Sequence, residues 1–261
     1  MSVEFGGNIV VTGANRGIGL ELVRQLVQDS DHVYACCREP EGPRAEALRA
    51  LAACHPGKIS LIRLNVTDED SVYAAIHTVS EQVGTAGLNL LINNAAINAP
   101  PSPATLSSTS KKDMMDVFET NVTGPFLLAK MCLPLLQRAA ENQSSGKGDE
   151  MSCKRSAIIN VSTLISSIEN CPETFHMAQM YPYRVSKAAL NMLTRCLAVD
   201  YSKHSILVTG IHPGWVRTDM GGQEAPLSAH DSVRKMLAVM SSLRNKDSGL
   251  LLSWEGTRIP W

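Results

Sequence analysis

A tyrosine and a lysine four positions apart, Tyr183 and Lys187, stand in the segment MYPYRVSKAAL, residues 180–190. In a helix this spacing places both side chains on one face. A free phenol has a pKa of about 10, and a neighbouring ammonium group favours the phenolate and lowers that pKa. A tyrosine tuned in this way could donate a proton to the oxygen of a carbonyl group during its reduction. The pattern is short, and an ordinary exposed pair on a helix would share it.

A glycine-rich turn lies near the start of the chain, in VVTGANRGIGLELV, residues 10–23. Gly13, Gly17 and Gly19 stand where a tight turn, a close approach to a pyrophosphate and close helix–strand packing each require glycine. The amides and the dipole at the start of the following helix attract phosphate. The turn therefore predicts a dinucleotide-binding site, although glycines that merely end a strand would give part of the same pattern.

Two arginines near this turn indicate which dinucleotide binds. An acidic residue at the end of the second strand would bind the ribose 2′-hydroxyl of NAD, but Cys36 and Cys37 occupy that place and Arg38 follows them. Arg16 lies inside the glycine-rich turn. Guanidinium groups bind phosphate in a bidentate manner, so Arg16 and Arg38 predict a 2′-phosphate and hence NADP(H). The alternative is that both arginines are solvated surface residues.

These residues need a scaffold, and the pattern of the whole chain indicates one. Short apolar or β-branched runs alternate with helical stretches, which predicts an α/β fold with a parallel sheet covered on both faces. The predicted strands are 8–13, 32–37, 59–66, 88–95, 156–163, 206–213 and 249–254. The predicted helices are 17–29, 43–54, 69–83, 111–139, 183–203 and 228–243. No linker is evident, so a single domain is expected over residues 1–261.

Two connections stand out from this alternation. Residues 139–156 are polar and rich in glycine and serine, which predicts a surface loop. Residues 166–182 are long for a connection between a strand and a helix, and such loops are often functional. We expect the second connection to form one wall of a substrate pocket for a carbonyl compound with an apolar body, because methionines in it tolerate varied apolar shapes.

Composition excludes several classes of protein. The 261 residues carry a formal net charge of −1, which gives no electrostatic basis for binding nucleic acid or an anionic membrane. No apolar stretch is long enough to span a membrane, and the first residues lack the pattern of a signal peptide. The seven cysteines show no CxxC pair and no spacing with histidine that suits a metal. We therefore expect a cytoplasmic protein with reduced thiols, no metal, and no nucleic-acid or membrane partner.

Several motifs occur in the order typical of the short-chain dehydrogenase/reductase family. They are TGANRGIG (12–19), NNAA (93–96), ETNVTGPF (119–126), NVST (160–163), YRVSK (183–187) and HPGWVRTDM (212–220). The chain resembles this family over nearly its whole length, and within it the carbonyl-reductase-like group that includes sniffer and the bacterial C-factor. The resemblance implies a single-domain Rossmann-type fold, a doubly wound parallel sheet of about seven strands, and NADPH-dependent reduction of a small-molecule carbonyl to the alcohol.

The resemblance also assigns catalytic roles to four residues. Tyr183 would be the general acid, and Lys187 would support it and bind the nicotinamide ribose. Asn121 would hold a water in a proton relay. Pro125 has no N–H to bond the carbonyl of Asn121, which leaves that carbonyl free for a water or leaves a helix kink without a chemical role. Thr163 stands where the family usually has a serine that polarises the substrate carbonyl.

The threonine is a departure with consequences for the rate. Thr163 keeps the hydroxyl but adds a methyl group and a stiffer χ1 torsion, and Ser166 replaces the family's usual glycine nearby. Thr163 could act at a reduced rate or on fewer substrates, or Ser162 could take its place. The alternative function is an NADP(H)-binding interaction or regulatory protein with weak or lost catalysis.

The same resemblance implies a set of cofactor contacts. Asn65 and Val66 would contact the adenine, with asparagine in place of the usual aspartate, and the HPGWVRTDM motif would fix the nicotinamide carboxamide. Strand ends packed by small residues would give parts of the same pattern. The implied cofactor residues are Gly13, Asn15, Arg16, Gly17, Ile18, Gly19, Arg38, Asn65, Val66, Asn94, Ala95, Ala96, Tyr183, Lys187, Pro213, Gly214, Val216 and Thr218.

The assembly state is open at this point. The predicted helices 111–139 and 183–203 are apolar over much of their surface. Related helices in the family often pair across the interface of a homodimer, but the same apolar faces must also cover the sheet.

Overall fold

Eight strands in the described part of the chain form one sheet. The computed structural model describes residues 5–101, 103–142 and 150–261. The strands are β1 (Asn8–Thr12), β2 (His32–Cys37), β3 (Ile59–Arg63), β4 (Leu90–Asn93), β5 (Ala157–Val161), β6 (Leu207–His212), β7 (Leu251–Ser253) and β8 (Arg258–Ile259). The predicted α/β fold is confirmed. The short β8 is an addition to the prediction, and it pairs antiparallel with β7.

Helices connect the strands, and short polar side chains begin several of them. The helices are α1 (Gly17–Leu26), α2 (Glu46–Cys54), α3 (Glu69–Val83), α4 (Lys111–Phe118), α5 (Gly124–Asn142), α6 (Cys171–Thr174), α7 (Tyr181–Tyr201) and α8 (Ala229–Ser242). Asp68 accepts a hydrogen bond from the amide of Ser71 in front of α3, and Ser228 accepts one from Asp231 in front of α8. These caps satisfy N–H groups that have no partner inside the helix.

The strand order is β3-β2-β1-β4-β5-β6-β7-β8. The order reverses between β1 and β4, and in open parallel sheets ligands bind outside the carboxyl ends of the strands at such a switch point. Gly13 directly follows β1 and Asn94 directly follows β4. The fold therefore places the two motifs on either side of the crevice.

The core consists of two apolar layers, one on each face of the sheet. Helices α1, α2 and α8 pack on one face, and α3, α5 and α7 pack on the other. Neighbouring strand residues alternate between the layers, so that Val11 belongs to the first and Val10 to the second. Because both faces are covered, the strands are apolar throughout, as the sequence pattern predicts.

Two long segments differ from the prediction. The predicted helix 111–139 consists of α4, a π-helical turn at Glu119–Thr123, and α5. The predicted surface loop 139–156 begins later than expected, because α5 continues to Asn142. Residues 150–156 contain no helix or strand, as predicted, but Met151 and Ser156 are buried. Residues 143–149 of that loop lie outside the described residues.

Candidate active site

A cavity of about 830 Å³ opens at the carboxyl ends of the central strands. Its walls come from the glycine-rich turn after β1, the ends of β2, β3 and β5, the segment after β4, the first turns of α7 and the loop after β6. The predicted cofactor residues in its walls are Gly13, Asn15, Arg16, Gly17, Ile18, Gly19, Arg38, Asn65, Val66, Asn94, Ala95, Ala96, Tyr183, Lys187, Pro213 and Thr218. The fold thus brings the glycine-rich turn and the tyrosine–lysine pair to one cavity.

The glycine-rich turn is too tight for side chains at its key positions. Gly13 has a φ of +64° and Gly17 a φ of +54°, which are conformations that favour glycine. A Cβ atom on Gly19 would lie 2.1 Å from the carbonyl oxygen of Gly13. Asn94 braces the turn from the neighbouring strand, because its amide Nδ2 donates to the carbonyl of Thr12 at 2.9 Å. The backbone of this turn is therefore exposed to whatever occupies the cavity.

Arginines line the end of the cavity near β2. Arg38 directly follows β2, and Arg44 is a further arginine of the cavity wall that was not predicted; Arg16 also lines the cavity, from the glycine-rich turn. The side chain of Asn15 donates to the carbonyl of Arg44, which connects the turn to this segment. Arg16 also forms an ion pair with Asp219, from the loop after β6. The sequence offers one indication that Arg44 could reach the cavity, which is its position in the short turn Pro43–Ala45 in front of α2.

Tyr183 and Lys187 lie in the first two turns of α7. Pro182, within the first turn of α7, suits the start of the helix because its missing N–H would have no partner there. The ammonium nitrogen of Lys187 lies 5.7 Å from the centre of the Tyr183 ring, and it donates to the carbonyl of Val161 at 2.7 Å. The structure thus holds the lysine beside the tyrosine ring and against the end of β5.

The pKa values of this pair correct one expectation. The spacing of the pair predicts that Lys187 lowers the pKa of Tyr183, but burial raises the pKa of Tyr183 to about 12. Burial also lowers the pKa of Lys187 from 10.5 to about 7. The cause is the same for both groups, because loss of water disfavours the charged form of each. The phenol is therefore protonated at neutral pH, while the amine is close to its titration point.

Asn121 lies in the π-helical turn and is fully buried. Its Oδ1 accepts from the amide of Ile97 at 2.9 Å, and its Nδ2 donates to the carbonyl of Ile97 at 2.9 Å and to the hydroxyl of Ser186 at 3.0 Å. The side chain therefore joins the segment after β4 to α7. Only the main-chain carbonyl of Asn121 is left for the predicted relay, which stays a prediction. A π-helical turn at Glu119–Thr123 occupies the place where the alternative was a simple kink at Pro125, and such turns often mark functional sites.

The hydroxyls at the end of β5 have different partners. Ser162 lines the cavity, but its hydroxyl donates to Oδ1 of Asn191 at 2.7 Å. The hydroxyl of Thr163 has no hydrogen-bond partner within the part of the chain that the structure describes. Thr163 is not among the residues that line the cavity, but of the two alternatives left open by the sequence it is the one whose hydroxyl has no bond to another described residue.

Two predicted cofactor residues, Gly214 and Val216, do not line the cavity. Gly214 has a φ of +83°, and a Cβ atom on it would lie 2.4 Å from a methyl carbon of Leu227. Val216 is buried and pairs with Leu227 in an isolated bridge. Both residues shape the loop after β6 and do not form the surface of the cavity.

The long connection before α7 is fastened by one buried arginine. The guanidinium group of Arg184 donates to the carbonyls of Ile165, Thr174 and Ala178, and it stacks 5.5 Å from the ring of Phe175. These bonds hold the connection against the start of α7. Its apolar side chains Ile168 and Met177 remain exposed.

Neither a metal-binding cluster nor a membrane-spanning helix occurs among the described residues. No group of three or more His, Cys, Asp or Glu residues in that part of the chain could hold a metal ion. No described helix combines the length and apolar character needed to cross a membrane.

A parallel sheet with a glycine-rich turn at its switch point is the architecture of dinucleotide-dependent oxidoreductases. The family model for short chain dehydrogenases matches residues 7–227. The chain belongs to the short-chain dehydrogenase/reductase family, and the predicted family is confirmed.

Several proteins of known structure or sequence are similar to this chain over most of its length. The C-signal protein of Myxococcus xanthus is 33% identical over 179 residues, which are 69% of this chain and 96% of that protein. The NADPH-bound carbonyl reductase from chicken fatty liver is 43% identical, with a TM-score of 0.91 over 97% of this chain and 94% of that one. The carbonyl reductase Sniffer of D. melanogaster is 34% identical, with a TM-score of 0.89 over 99% and 100%. The predicted resemblance to this group is confirmed.

Proposed function

We propose that this protein is an NADPH-dependent carbonyl reductase that acts on an aldehyde, a ketone or a quinone. The observation that carries the proposal is the single cavity that joins the glycine-rich turn to Tyr183 and Lys187. The similarity to the carbonyl reductases from chicken and D. melanogaster supports the same reaction.

The residues in the cavity fit NADP(H). The tight glycine-rich turn leaves backbone N–H groups and the start of α1 open toward a pyrophosphate. Arg16, Arg38 and Arg44 supply positive charge for a 2′-phosphate. Cys37 ends β2, where an enzyme that prefers NAD would place an acid.

The side chains of this protein have defined tasks in the proposed reaction. NADPH, when bound, supplies the hydride that reduces the carbonyl carbon. Tyr183 donates the proton to the carbonyl oxygen, since burial keeps its phenol protonated. The free hydroxyl of Thr163 donates a hydrogen bond to the same oxygen and polarises the carbonyl. Lys187, with a pKa of about 7, returns a proton to Tyr183, and the carbonyl of Asn121 holds a water that connects Lys187 to solvent.

The substrate we propose has an apolar body. Leu164, Ile168 and Met177 are exposed on the connection before α7, and Trp215 and Met220 are exposed on the loop after β6. Met220 lines the cavity, and the connection before α7 leads directly into the helix that carries Tyr183. Burial of these side chains by an apolar substrate would contribute to binding at about 25 cal/mol per Å² of apolar surface covered.

A second candidate function is favoured by one observation. Thr163 stands where the family usually has serine, and its extra methyl group could slow the reaction enough for binding of NADP(H) to be the main activity. The protein would then be a cofactor-binding interaction protein.

One experiment separates the two functions. The protein is mixed with NADPH and a panel of quinones, aldehydes and aryl ketones, and the loss of NADPH absorbance is followed. We expect turnover with at least one apolar carbonyl. Clear NADPH binding without turnover of any compound would favour the second function, and Thr163→Ser would then test whether the methyl group limits the rate.

We also propose that the protein forms a homodimer through α7. Val185, Met192 and Val199 are exposed and spaced by seven residues, so they form one apolar stripe along this helix. Light scattering should give the mass of a dimer for the wild type and of a monomer for Met192→Glu. Tyr73→Glu, at an exposed residue of α3, is the matched control and should remain dimeric. A wild-type mass of one chain at working concentration would refute the proposal.

A further inference from the structure

Three polar side chains at the wall of the cavity form a connected set of hydrogen bonds. We call this set the brace, and it consists of Ser162, Asn191 and Ser166. The hydroxyl of Ser162 donates to Oδ1 of Asn191 at 2.7 Å, and Nδ2 of Asn191 donates to the hydroxyl of Ser166 at 2.8 Å. The hydroxyl of Ser166 donates in turn to the main-chain carbonyl of Thr163 at 2.5 Å. All three side chains belong to residues that are at most 4% exposed. The direction of these three bonds is fixed, because the amide nitrogen of Asn191 can only donate, while its amide oxygen and the carbonyl oxygen of Thr163 can only accept.

The brace connects the two elements that carry the proposed chemistry. Asn191 lies one helical turn after Lys187 on α7, so both side chains leave the same face of the helix. Lys187 donates to the carbonyl of Val161, and Asn191 bonds to the residue after it, Ser162. Successive turns of α7 are therefore bonded to successive residues at the end of β5.

Thr163 is the residue whose orientation the brace controls most directly. Its carbonyl oxygen accepts from both the amide and the hydroxyl of Ser166, while its own hydroxyl has no partner in the described part of the chain. The χ1 torsion of threonine has few accessible values. Fixing the backbone of Thr163 therefore restricts its hydroxyl to a few directions.

We propose that Ser166 and Asn191 are positioning residues that orient the Thr163 hydroxyl toward the carbonyl oxygen of the substrate. This inference rests on the proposed carbonyl reduction. The resemblance to the family implies a glycine at position 166. A glycine there would leave the amide of Asn191 without its acceptor and would remove the hydroxyl bond to Thr163, both in a buried place. The two departures from the family pattern, Thr163 and Ser166, thus act together.

A double-mutant cycle tests this link. Ser166→Ala is made in the wild type and in Thr163→Val, and kcat is measured with a carbonyl that the wild type reduces. In the wild type we expect kcat to fall about tenfold or more, because small misplacements of a polarising group reduce the rate strongly. In Thr163→Val the same change should cost less than about twofold, since the hydroxyl that the brace orients is absent. Equal losses in both backgrounds would overturn the proposal.

A matched control separates positioning from general loss of stability. Ser156 is a buried serine in front of the other end of β5, and its hydroxyl donates to the carbonyl of Leu136 at 2.8 Å. Ser156→Ala also removes one buried hydrogen bond, but it should leave kcat within about twofold of the wild type. A loss as large as that of Ser166→Ala would show that any buried serine of this strand matters equally, and would contradict the specific role.

Hydrogen–deuterium exchange gives a readout that needs no turnover. In Ser166→Ala the amides of residues 164–167 should exchange faster, while those of residues 185–195 keep their protection. Asn191→Ala is the second variant, to be used if Ser166→Ala does not fold, and should give the same pattern. Unchanged exchange of residues 164–167 would refute the brace. An inactive wild type would refute the carbonyl reduction instead, so the two failures are distinguishable.

Discussion

The two ends of the cavity are built in opposite ways. At the cofactor end, the charged side chains are exposed, and the Arg16–Asp219 ion pair has side-chain exposures of 53% and 75%. At the catalytic end, Asn121 is fully buried and Lys187 is 2% exposed. One end therefore consists of solvated charges on loops, and the other of buried polar groups fixed between α7 and β5.

This contrast indicates how each end responds to change. Exposed ion pairs contribute about 0–1 kcal/mol and weaken with salt, so cofactor preference can change in small, independent steps. Removing one partner from a buried polar set leaves the other without a hydrogen bond, which costs about 1–3 kcal/mol. We therefore expect single changes to have large, coupled effects at the catalytic end and small, additive effects at the cofactor end.

The largest effect is expected for Tyr183→Phe, which removes the proposed acid and keeps the ring. We expect kcat/KM for carbonyl reduction to fall about 1,000-fold or more, while the Kd for NADPH changes less than about twofold. Stopped-flow absorbance and fluorescence titration measure the two quantities. Tyr181→Phe, at the first residue of the same helix, is the control and should retain its activity. Comparable activities of Tyr183→Phe and the wild type would show that Tyr183 is not the acid and that the buried end of the cavity does not carry the chemistry.

Features that depend on local sequence could be predicted. The predicted helix 69–83 has the bounds of α3, Glu69–Val83, because Asp68 caps its start and Gly84 follows its end. The seven predicted strands are present because each is a short apolar run, as expected for a strand that is buried on both faces of the sheet. The glycine-rich turn could be placed because its glycines have a local conformational cause.

Features of the catalytic end depend on residues that are distant in sequence, and this part could not be predicted. Asn121 bonds to Ile97 and Ser186, and Ser162 bonds to Asn191. No periodicity in the sequence encodes these partners. The pKa of Tyr183 was assigned the wrong direction for a related reason: the spacing to Lys187 is visible in the sequence, but the burial of both groups is not. The helix spacing correctly placed the lysine and tyrosine side by side.

A second prediction concerns pH and the buried lysine. The pKa of Lys187 is about 7 in the folded protein and 10.5 ordinarily. Below about pH 7 both states hold the proton. Above it only the unfolded state does, so the free energy of unfolding should rise with pH, by up to about 1.4 kcal/mol per pH unit.

Urea unfolding of the cofactor-free protein from about pH 7 to about pH 8.5 measures this slope. Lys187→Met lacks the titrating group and should show a smaller slope in the same window, while the other titrating groups act equally in both proteins. If the free energy of unfolding changes with pH equally in both proteins, the pKa of Lys187 is not lowered by folding. The contrast between a buried and an exposed end of the cavity would then not hold for this residue.

A third prediction concerns the cofactor end. Arg38→Ala should raise the Kd for NADPH about tenfold, because a charge-assisted bond to the 2′-phosphate is lost, and should leave the Kd for NADH unchanged. Arg234→Ala, on α8 with a side chain that is 60% exposed, is the control and should change neither. An equal rise in the Kd for NADH would show that Arg38 stabilises the segment after β2 and does not bind the 2′-phosphate.

The smallest effect is expected at the Arg16–Asp219 ion pair, and it tests the independence of the exposed end most directly. Arg16 is bonded to the carboxylate of Asp219. In the proposed site this carboxylate would compete with a 2′-phosphate for the guanidinium group, so Asp219→Asn should lower the Kd for NADPH about twofold at low salt. The difference should disappear as ionic strength rises, since exposed charges are screened. Fluorescence titrations of NADPH and NADH at low and high salt measure this, and NADH should show no change. A rise in the Kd for both dinucleotides, or a fall in kcat, would mean that the Arg16–Asp219 ion pair holds the loop after β6 in place. The exposed end of the cavity would then be coupled to the rest of the site as tightly as the buried end.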